Sequence, residues 1–159
     1  MLNTVFILLF CFFVAEDVFL KSLVVKLLQP VGEVSVINNF FYLTYVENSG
    51  MAFGLLSGAR WLFVAFTVII LAVIFAFFLK CRTKSYPVLL RLSAVMIASG
   101  AVGNLIDRIR LGYVVDYLHF VFFGHSFAVF NFADILVVCG TGLLCLYILF
   151  EDKSEVDEE

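Results

Sequence analysis

The sequence predicts an all-α integral membrane protein with four transmembrane helices and small β-rich or amphipathic segments on the outer, periplasmic face. Two observations support this fold class. Hydrophobic residues fill 64% of the 159 positions and the mean hydropathy is +1.10, which is more apolar surface than a soluble domain of this size can bury. In addition, four apolar stretches reach the roughly 20 residues that a helix needs to cross a bilayer. These stretches cover about 2–26, 60–80, 87–107 and 132–150.

The first apolar stretch is predicted to remain a membrane span and not to be removed as a signal peptide. It lacks a basic leading region and a small-residue cleavage site, and it carries Glu16, Asp17 and Lys21. No internal repeat or low-complexity linker divides the chain. We therefore predict a single membrane domain over residues 1–159.

The basic residues predict the orientation of the spans. Lys80, Arg82 and Lys84 lie between the second and third spans, whereas residues 30–58 contain no Lys or Arg. Because cytoplasmic loops are enriched in these residues, the 80–86 loop is placed in the cytoplasm. With four spans, both termini are then predicted to be cytoplasmic as well.

Two segments are predicted on the outer side, at about 29–58 and 109–130. Residues 34–46 are rich in β-branched and aromatic side chains, and Asn38-Asn39 suits a hairpin turn. The second segment is also apolar and aromatic, but it is too irregular for a fifth span. We expect both to form small strand-like or amphipathic pieces that lie on the outer leaflet.

Charge and cysteine content exclude other classes of protein. Six of the thirteen acidic residues fall within 151–159, an acidic tail that is typical of a solvated chain end. No basic run of the kind that nucleic acid requires is present, so no nucleic-acid partner is predicted. The four cysteines show no zinc or disulfide spacing, and we predict free thiols. They are Cys11, Cys81, Cys139 and Cys145.

The remaining seven acidic residues need a specific reason to be there. An ionisable group inside a span costs roughly 2.5–3.5 kcal/mol at the helix centre and is a functional candidate by default. The predicted topology places Asp17, Asp107 and Asp134 in the outer parts of their spans, level with Asn48 and Asp116 in the outer segments. Parts of the chain that are far apart in sequence thus bring carboxylates to one membrane level.

Helical spacing groups several of these residues further. Asn104 precedes Asp107 by three positions and Arg108 by four, so the three share one flank of the third span. Asn131 and Asp134 are three positions apart on the fourth span. Two structural alternatives remain open: Asp107 and Arg108 as charges that anchor a helix end, and Asp134 as an acid favoured by the helix dipole.

Small and charged residues inside the spans predict packing and exposure. Gly100 and Gly103, beside neighbouring alanines, predict a close approach of the third span to another helix. Glu16 and Lys21 are expected to face polar surroundings or to snorkel toward the interface.

The sequence contains none of several well-known catalytic motifs. It has no G-x-S-x-G, no H-E-x-x-H and no Gly-rich phosphate loop. Asp116 and His119 have D-x-x-H spacing, but this is a weak signal for metal on its own, and we predict no metal and no cofactor. Paired carboxylates are the chemistry that remains.

Four sequence blocks carry a resemblance to a known family. They are DVFLK at 17–21, NSGMAFG at 48–54, GNLIDRIRLGYVVDY at 103–117 and FNFAD at 130–134. In this order and spacing the sequence resembles the lipoprotein signal peptidase, or type II signal peptidase, family. Val18 departs from the Gln that is usual in the first block, and Ser99-Gly100 replaces a usual pair of glycines.

The resemblance implies an aspartyl endopeptidase of the bacterial cytoplasmic (inner) membrane with its site at the outer face. Its substrates would be prolipoproteins whose cysteine already carries diacylglycerol, cut just before that cysteine by water with the help of two aspartates. Asp116 and Asp134 would be the catalytic pair. Supporting or substrate-binding residues would be Asp17, Asn48, Gly54, Asn104, Asp107, Arg108 and Asn131. Membrane lipid is the other expected partner, and the protein is expected to be a monomer.

Two other classes of function are weighed against this hypothesis. A small polytopic transporter or channel would also place Asp and Arg inside its spans. However, the polar residues cluster at one depth and do not form a path across the membrane. A non-catalytic membrane scaffold would have no use for so many placed carboxylates.

Overall fold

The computed structural model describes residues 2–50, 58–80 and 86–156. The helices are α1 Leu2–Leu27, α2 Arg60–Lys80, α3 Val88–Arg110 and α4 Phe132–Val156, and the strands are β1 Glu33–Ile37, β2 Phe41–Asn48, β3 Val114–Phe122 and β4 His125–Ser126. The helices coincide with the four apolar stretches of the sequence. Gly54 and the basic residues Arg82 and Lys84, with Cys81, lie outside the described residues.

Within the described ranges, three helices are long and apolar enough to cross a membrane. They are α2, α3 and the part of α4 from Phe132 to Phe150. Helix α2 lacks a fully buried residue, and many of its large apolar side chains are exposed, among them Trp61, Phe66 and Phe75. This distribution fits a lipid environment, in which apolar side chains on the outer surface are favourable.

Helix α3 is the centre of the helical part, because it packs against α1, α2 and α4. Its closest neighbour is α4, as the small residues of α3 predicted. A Cβ atom at Gly100 would overlap the backbone oxygen of Ala133 and lie 2.8 Å from a methyl carbon of Val137. Only glycine therefore allows the two helices to approach this closely.

The segments between the helices form one antiparallel sheet in the order β1-β2-β3-β4. The β1–β2 hairpin turns at residues 38–40, where Asn39 adopts a left-handed φ of 59°. Strand β2 then pairs with β3, with Val46 opposite Asp116. The strand-like character predicted for both outer segments is confirmed.

The sheet is fixed to the helical part by a small apolar core. Val24 and Leu28 from the end of α1 pack with Val115 and Tyr117 from β3, and all four are buried. This contact holds the first half of β3 against α1. It therefore determines where Asp116, which lies between the two core residues of β3, can point.

The far end of the sheet carries a cluster of phenylalanines. Phe41 and Phe120 stack with ring centroids 4.6 Å apart, and Phe40 packs edge-on against Phe120 and Phe122. Phe123, in the β3–β4 turn, is fully exposed. We call the exposed rings Phe40, Phe122, Phe123 and Phe127 the aromatic rim.

Candidate active site

Asp116 is buried near the start of β3, with only 2% of its surface exposed. Each of its carboxylate oxygens accepts a hydrogen bond from an asparagine amide. Asn131 donates from Nδ2 to Oδ1 at 2.6 Å, and Asn48 donates from Nδ2 to Oδ2 at 2.8 Å. Asn48 reaches this position because it ends β2, the strand paired with β3.

Asp134 lies in the first turn of α4 and is also held through both oxygens. Asn104, on α3, donates from Nδ2 to Oδ1 at 2.8 Å, and the backbone N–H of Asn131 donates to Oδ2 at 3.1 Å. The sequence spacing had placed Asn131 on the fourth span, but the residue directly precedes α4. Its side-chain oxygen accepts from the backbone N–H of Asp134 at 3.0 Å, so it caps the helix.

Lys21 occupies the polar interior behind the two aspartates. Its side chain is 4% exposed, and its Nζ lies 2.8 Å from Asp17 Oδ2 and 3.1 Å from Asp107 Oδ2. The same ammonium donates to Asn104 Oδ1 at 2.9 Å. Lys21 therefore faces polar surroundings, as one of the two expectations had it, but it is buried and does not snorkel toward the interface. Its position four residues after Asp17 was the available signal, because i,i+4 residues share a helix face.

Asp17 and Asp107 perform matching structural tasks. Asp17 Oδ1 accepts from the backbone N–H of Ala133 at 3.0 Å, and Asp107 Oδ2 accepts from the backbone N–H of Val115 at 3.2 Å. Ala133 directly precedes Asp134, and Val115 directly precedes Asp116. Each buried acid therefore fixes the backbone just before one of the two central aspartates.

The surroundings of Asp116 favour its protonated form. Burial raises the pKa of its carboxyl to about 7, and the negative charge of Asp134 acts in the same direction. The amide donors of Asn48 and Asn131 oppose the rise but do not cancel it. Two neighbouring carboxylates in such a site can share one proton near neutral pH.

Comparison with known proteins identifies the family of this chain. A family model described as Signal peptidase (SPase) II matches residues 9–150. The chain belongs to the signal peptidase II family. A lipoprotein signal peptidase of Clostridioides difficile (strain 630) is 45% identical over 150 residues, which cover 94% of this chain and 98% of that protein. One from Halothermothrix orenii is 42% identical over 137 residues, covering 86% and 90% of the two chains.

A solved structure agrees with this assignment. A bacterial membrane enzyme that is 30% identical superimposes with a TM-score of 0.82 over 95% of this chain and 91% of that one. Signal peptidase II enzymes are aspartic-type peptidases, so the chain is a membrane-bound hydrolase. The peptidase hypothesis is thereby supported over the transporter or channel.

Arg108 is placed differently from the sequence-based interpretation, which paired it with Asp107. Its guanidinium lies 5.0 Å from the ring centroid of Phe63 and donates to the backbone oxygen of Gly50 at 3.4 Å. Lys21 takes the position beside Asp107. In this signal peptidase II chain, Arg108 therefore links α3 to α2 and to the segment that follows β2.

The D-x-x-H pair does not converge on one point. Asp116 bonds to the buried asparagines, whereas His119 Nε2 lies 2.7 Å from Ser126 Oγ and its Nδ1 lies 3.4 Å from Glu33 Oε2. Thr44 donates to Glu33, which lowers the pKa of that carboxyl. Over residues 2–50, 58–80 and 86–156, no three His, Cys, Asp or Glu side chains form a group that could hold a metal ion.

Proposed function

We propose that this peptidase removes the signal peptide from prolipoproteins whose cysteine carries diacylglycerol, and that it cuts just before that cysteine. The name of its relatives, lipoprotein signal peptidase, supports the substrate class. The observation that carries the catalytic assignment is the shared contact of Asn131. This one residue bonds to Asp116 through its side chain and to Asp134 through its backbone, which makes the two aspartates a coupled pair.

In the proposed mechanism, Asp134 takes a proton from water and Asp116 donates the proton that it holds. The hydroxide formed at the first step attacks the carbonyl carbon of the scissile bond while Asp116 protonates the carbonyl oxygen. The tetrahedral intermediate then collapses and the C–N bond breaks, while Asp116 takes back a proton from one of the two hydroxyl groups and Asp134 gives its proton to the leaving amine. The raised pKa of Asp116 supports its assignment as the initial acid.

The other polar residues of the motifs support this pair. Asn48, Asn104 and Asn131 donate to the carboxylates, and the buried Asp17 and Asp107 hold the preceding backbone. Arg108 is proposed to shape the substrate entrance, because it joins α3 to the backbone at Gly50. Gly54, which belongs to the same sequence block as Asn48, is proposed as a substrate-binding position on its motif alone.

We further propose a single-domain monomer with four transmembrane helices, α1 being the fourth span. Helix α1 has 26 residues, about 39 Å at 1.5 Å per residue, and the charges of Asp17 and Lys21 are paired inside the protein. The basic loop after α2 supports cytoplasmic termini in the bacterial inner membrane. The site then lies at the outer face, because Asp107 is near the end of α3 and Asp134 begins α4.

The lipid on the proposed substrate would account for a site at the membrane surface. A diacylglyceryl chain holds its carrier in the leaflet, so the bond to be cut is presented at the depth of the interface. We propose that the β1–β2 hairpin covers the bound lipopeptide there. Its apolar and aromatic residues, including Phe40 of the aromatic rim, support this role.

The test is cleavage of a diacylglyceryl-modified preprotein by the purified full chain, with and without a chelator. We expect Asp116→Asn and Asp134→Asn to fold but to lose activity, and the chelator to have no effect. Glu47→Gln is the control, since it changes an exposed carboxylate on the neighbouring strand. Substantial activity in either Asp variant, or loss of wild-type activity with chelator, would refute the catalytic assignment.

A further inference from the structure

Lys21 is connected to the proposed catalytic pair through one intermediate residue. Its Nζ donates to Asn104 Oδ1 at 2.9 Å, and Asn104 Nδ2 donates to Asp134 Oδ1 at 2.8 Å. Lys21 belongs to α1, Asn104 to α3 and Asp134 to α4. A short chain of hydrogen bonds therefore runs from the first helix to the carboxylate on the last.

The direction of these hydrogen bonds is fixed by which groups can donate and which can accept. An ammonium group can only donate, so the Asn104 amide must present its oxygen to Lys21 and its NH₂ to the other side. Asn131 Nδ2 donates to the same oxygen at 3.2 Å, which favours the same orientation. Asp134 Oδ1 consequently faces an N–H donor and accepts a hydrogen bond from it.

The other two asparagines of the site are oriented by the backbone. Asn48 Oδ1 accepts from the N–H of Gly50 at 3.0 Å, and Asn131 Oδ1 accepts from the N–H of Asp134 at 3.0 Å. A side-chain substitution leaves those backbone donors in place. Among the three asparagines, Asn104 is thus the one whose orientation depends on Lys21, with Asn131 as the second and longer donor to the same oxygen.

We propose that Lys21 is a positioning residue that fixes the Asn104 amide and thereby makes Asp134 the proton acceptor at the start of the reaction. The inference rests on the proposed function. It adds a reason why Asp134, and not Asp116, is the initial base. Lys21 is not placed in contact with the substrate, and its charge also lowers the pKa of Asp116 directly. The two effects are distinguishable, because a change in the pKa of Asp116 moves the basic limb of the pH profile, whereas the release of Asn104 moves the acidic limb.

The variants must avoid leaving a buried carboxylate without its partner, because a broken buried ion pair is strongly destabilising. Lys21→Met combined with Asp17→Asn removes the ammonium together with one of its two acids, so the net charge of the cluster is unchanged. Lys21→Gln, also combined with Asp17→Asn, retains a side chain that can donate or accept, so Asn131 is the only remaining fixed donor to the Asn104 oxygen. Lys21→Arg keeps a group that can only donate. Lys26→Met, at an exposed position of the same helix, is the matched control.

The experiment measures kcat/KM against pH for these variants and the wild type, with thermal unfolding as the test of folding. We expect both double variants to lose activity about tenfold or more. Their acidic limb should move to higher pH by about half a unit or more, because a turned amide places its oxygen against the Asp134 carboxylate. Lys21→Arg should keep the limb in place, and Lys26→Met should match the wild type.

An acidic limb at the wild-type position in either folded variant overturns the proposal. If the Lys21→Met double variant fails to fold, the Lys21→Gln double variant decides alone. The Asp116→Asn and Asp134→Asn variants, assayed in parallel, separate the two levels of inference. If they are inactive while the limb stays unmoved, only the role of Lys21 is refuted, and if they are active, the proposed function itself fails.

Discussion

Asn131 and Asp134 hydrogen-bond to each other twice, each through its side chain to the backbone N–H of the other, at 3.0 and 3.1 Å. This reciprocal pair is a capping box, which satisfies two donors at the start of a helix. The side-chain NH₂ group of Asn131, which the capping box does not use, donates to Asp116. The start of α4 and the proposed catalytic pair are therefore held by the same residue.

Substitutions at Asn131 should separate capping from catalysis. Asn131→Ser keeps an oxygen that can cap α4 but has no amide to donate to Asp116, whereas Asn131→Ala loses both. We expect both variants to lose activity about a hundredfold or more. The Ala variant should also lose about 1 kcal/mol of stability relative to Ser. Thermal unfolding and kcat/KM measured together would check this, and an active Asn131→Ser variant would contradict it.

The raised pKa of Asp116 predicts that activity falls as pH rises above about 7. In that range Asp116 loses the proton that it is proposed to donate. Well above its pKa, kcat/KM should fall about tenfold for each pH unit. Circular dichroism at each pH controls for unfolding. A flat profile to pH 9 in the folded protein would show that Asp116 is not the initial acid.

The same pKa makes a prediction about stability. The carboxyl binds its proton more tightly in the folded protein, with a pKa of about 7, than at its ordinary value of 3.8. Its contribution to the free energy of unfolding is therefore complete below pH 3.8 and is lost as pH rises through about 7. The stability of the wild type minus that of Asp116→Asn should fall between pH 5 and pH 8, by at most about 1.4 kcal/mol per unit. Thermal unfolding of the two proteins at several pH values is the measurement.

Gly103→Ala should disturb the contact by which Asp17 holds the backbone before Asp134. A Cβ at this position would overlap the Asp17 carboxylate and lie 3.3 Å from Ala133 Cβ. Because Asp17 holds the Ala133 backbone, we expect a lower Tm and a loss of activity of at least about tenfold. Gly142→Ala, on α4 with open space around its Cβ, is the matched control and should behave as wild type. Equal effects of the two substitutions would argue against this packing.

A charge on the aromatic rim should weaken use of the lipidated substrate. Phe40→Glu places a carboxylate on the hairpin where the lipopeptide is proposed to bind, and burying an unpaired charge is costly. We expect KM to rise more than kcat falls, with Asn38→Glu in the adjoining turn as the control. Steady-state kinetics with the lipidated preprotein would show this. Unchanged kinetics in folded Phe40→Glu would exclude the hairpin as a cover.

The sequence was informative about the elements and less so about their contacts. Long apolar stretches predicted the helices because the cost of exposing backbone in lipid leaves few alternatives. β-branched and aromatic residues around Asn38-Asn39 predicted the hairpin for an equally local reason. Such signals depend on neighbouring residues, so they are readable without knowing the tertiary fold.

The site depended on contacts that no local pattern encodes. Lys21 bonds to Asn104, 83 positions away, and Asp17 bonds to Ala133, 116 positions away. Spacing along one helix shows which residues share a face, but not which helix lies opposite that face. This is why the burial of Lys21 beside Asp107 was not predicted and Arg108 was assigned to Asp107 instead, although the motifs containing both residues had been recognised.

The separation of these contacts along the chain has a consequence for biogenesis. Lys21 and Asn48 belong to the first third of the chain, whereas Asp116, Asn131 and Asp134 emerge only with the last. On the proposed catalytic assignment, a partly synthesised chain therefore lacks both aspartates. We expect such a chain to be inactive until α4 has been made, so that an incomplete copy does not attack neighbouring proteins during insertion.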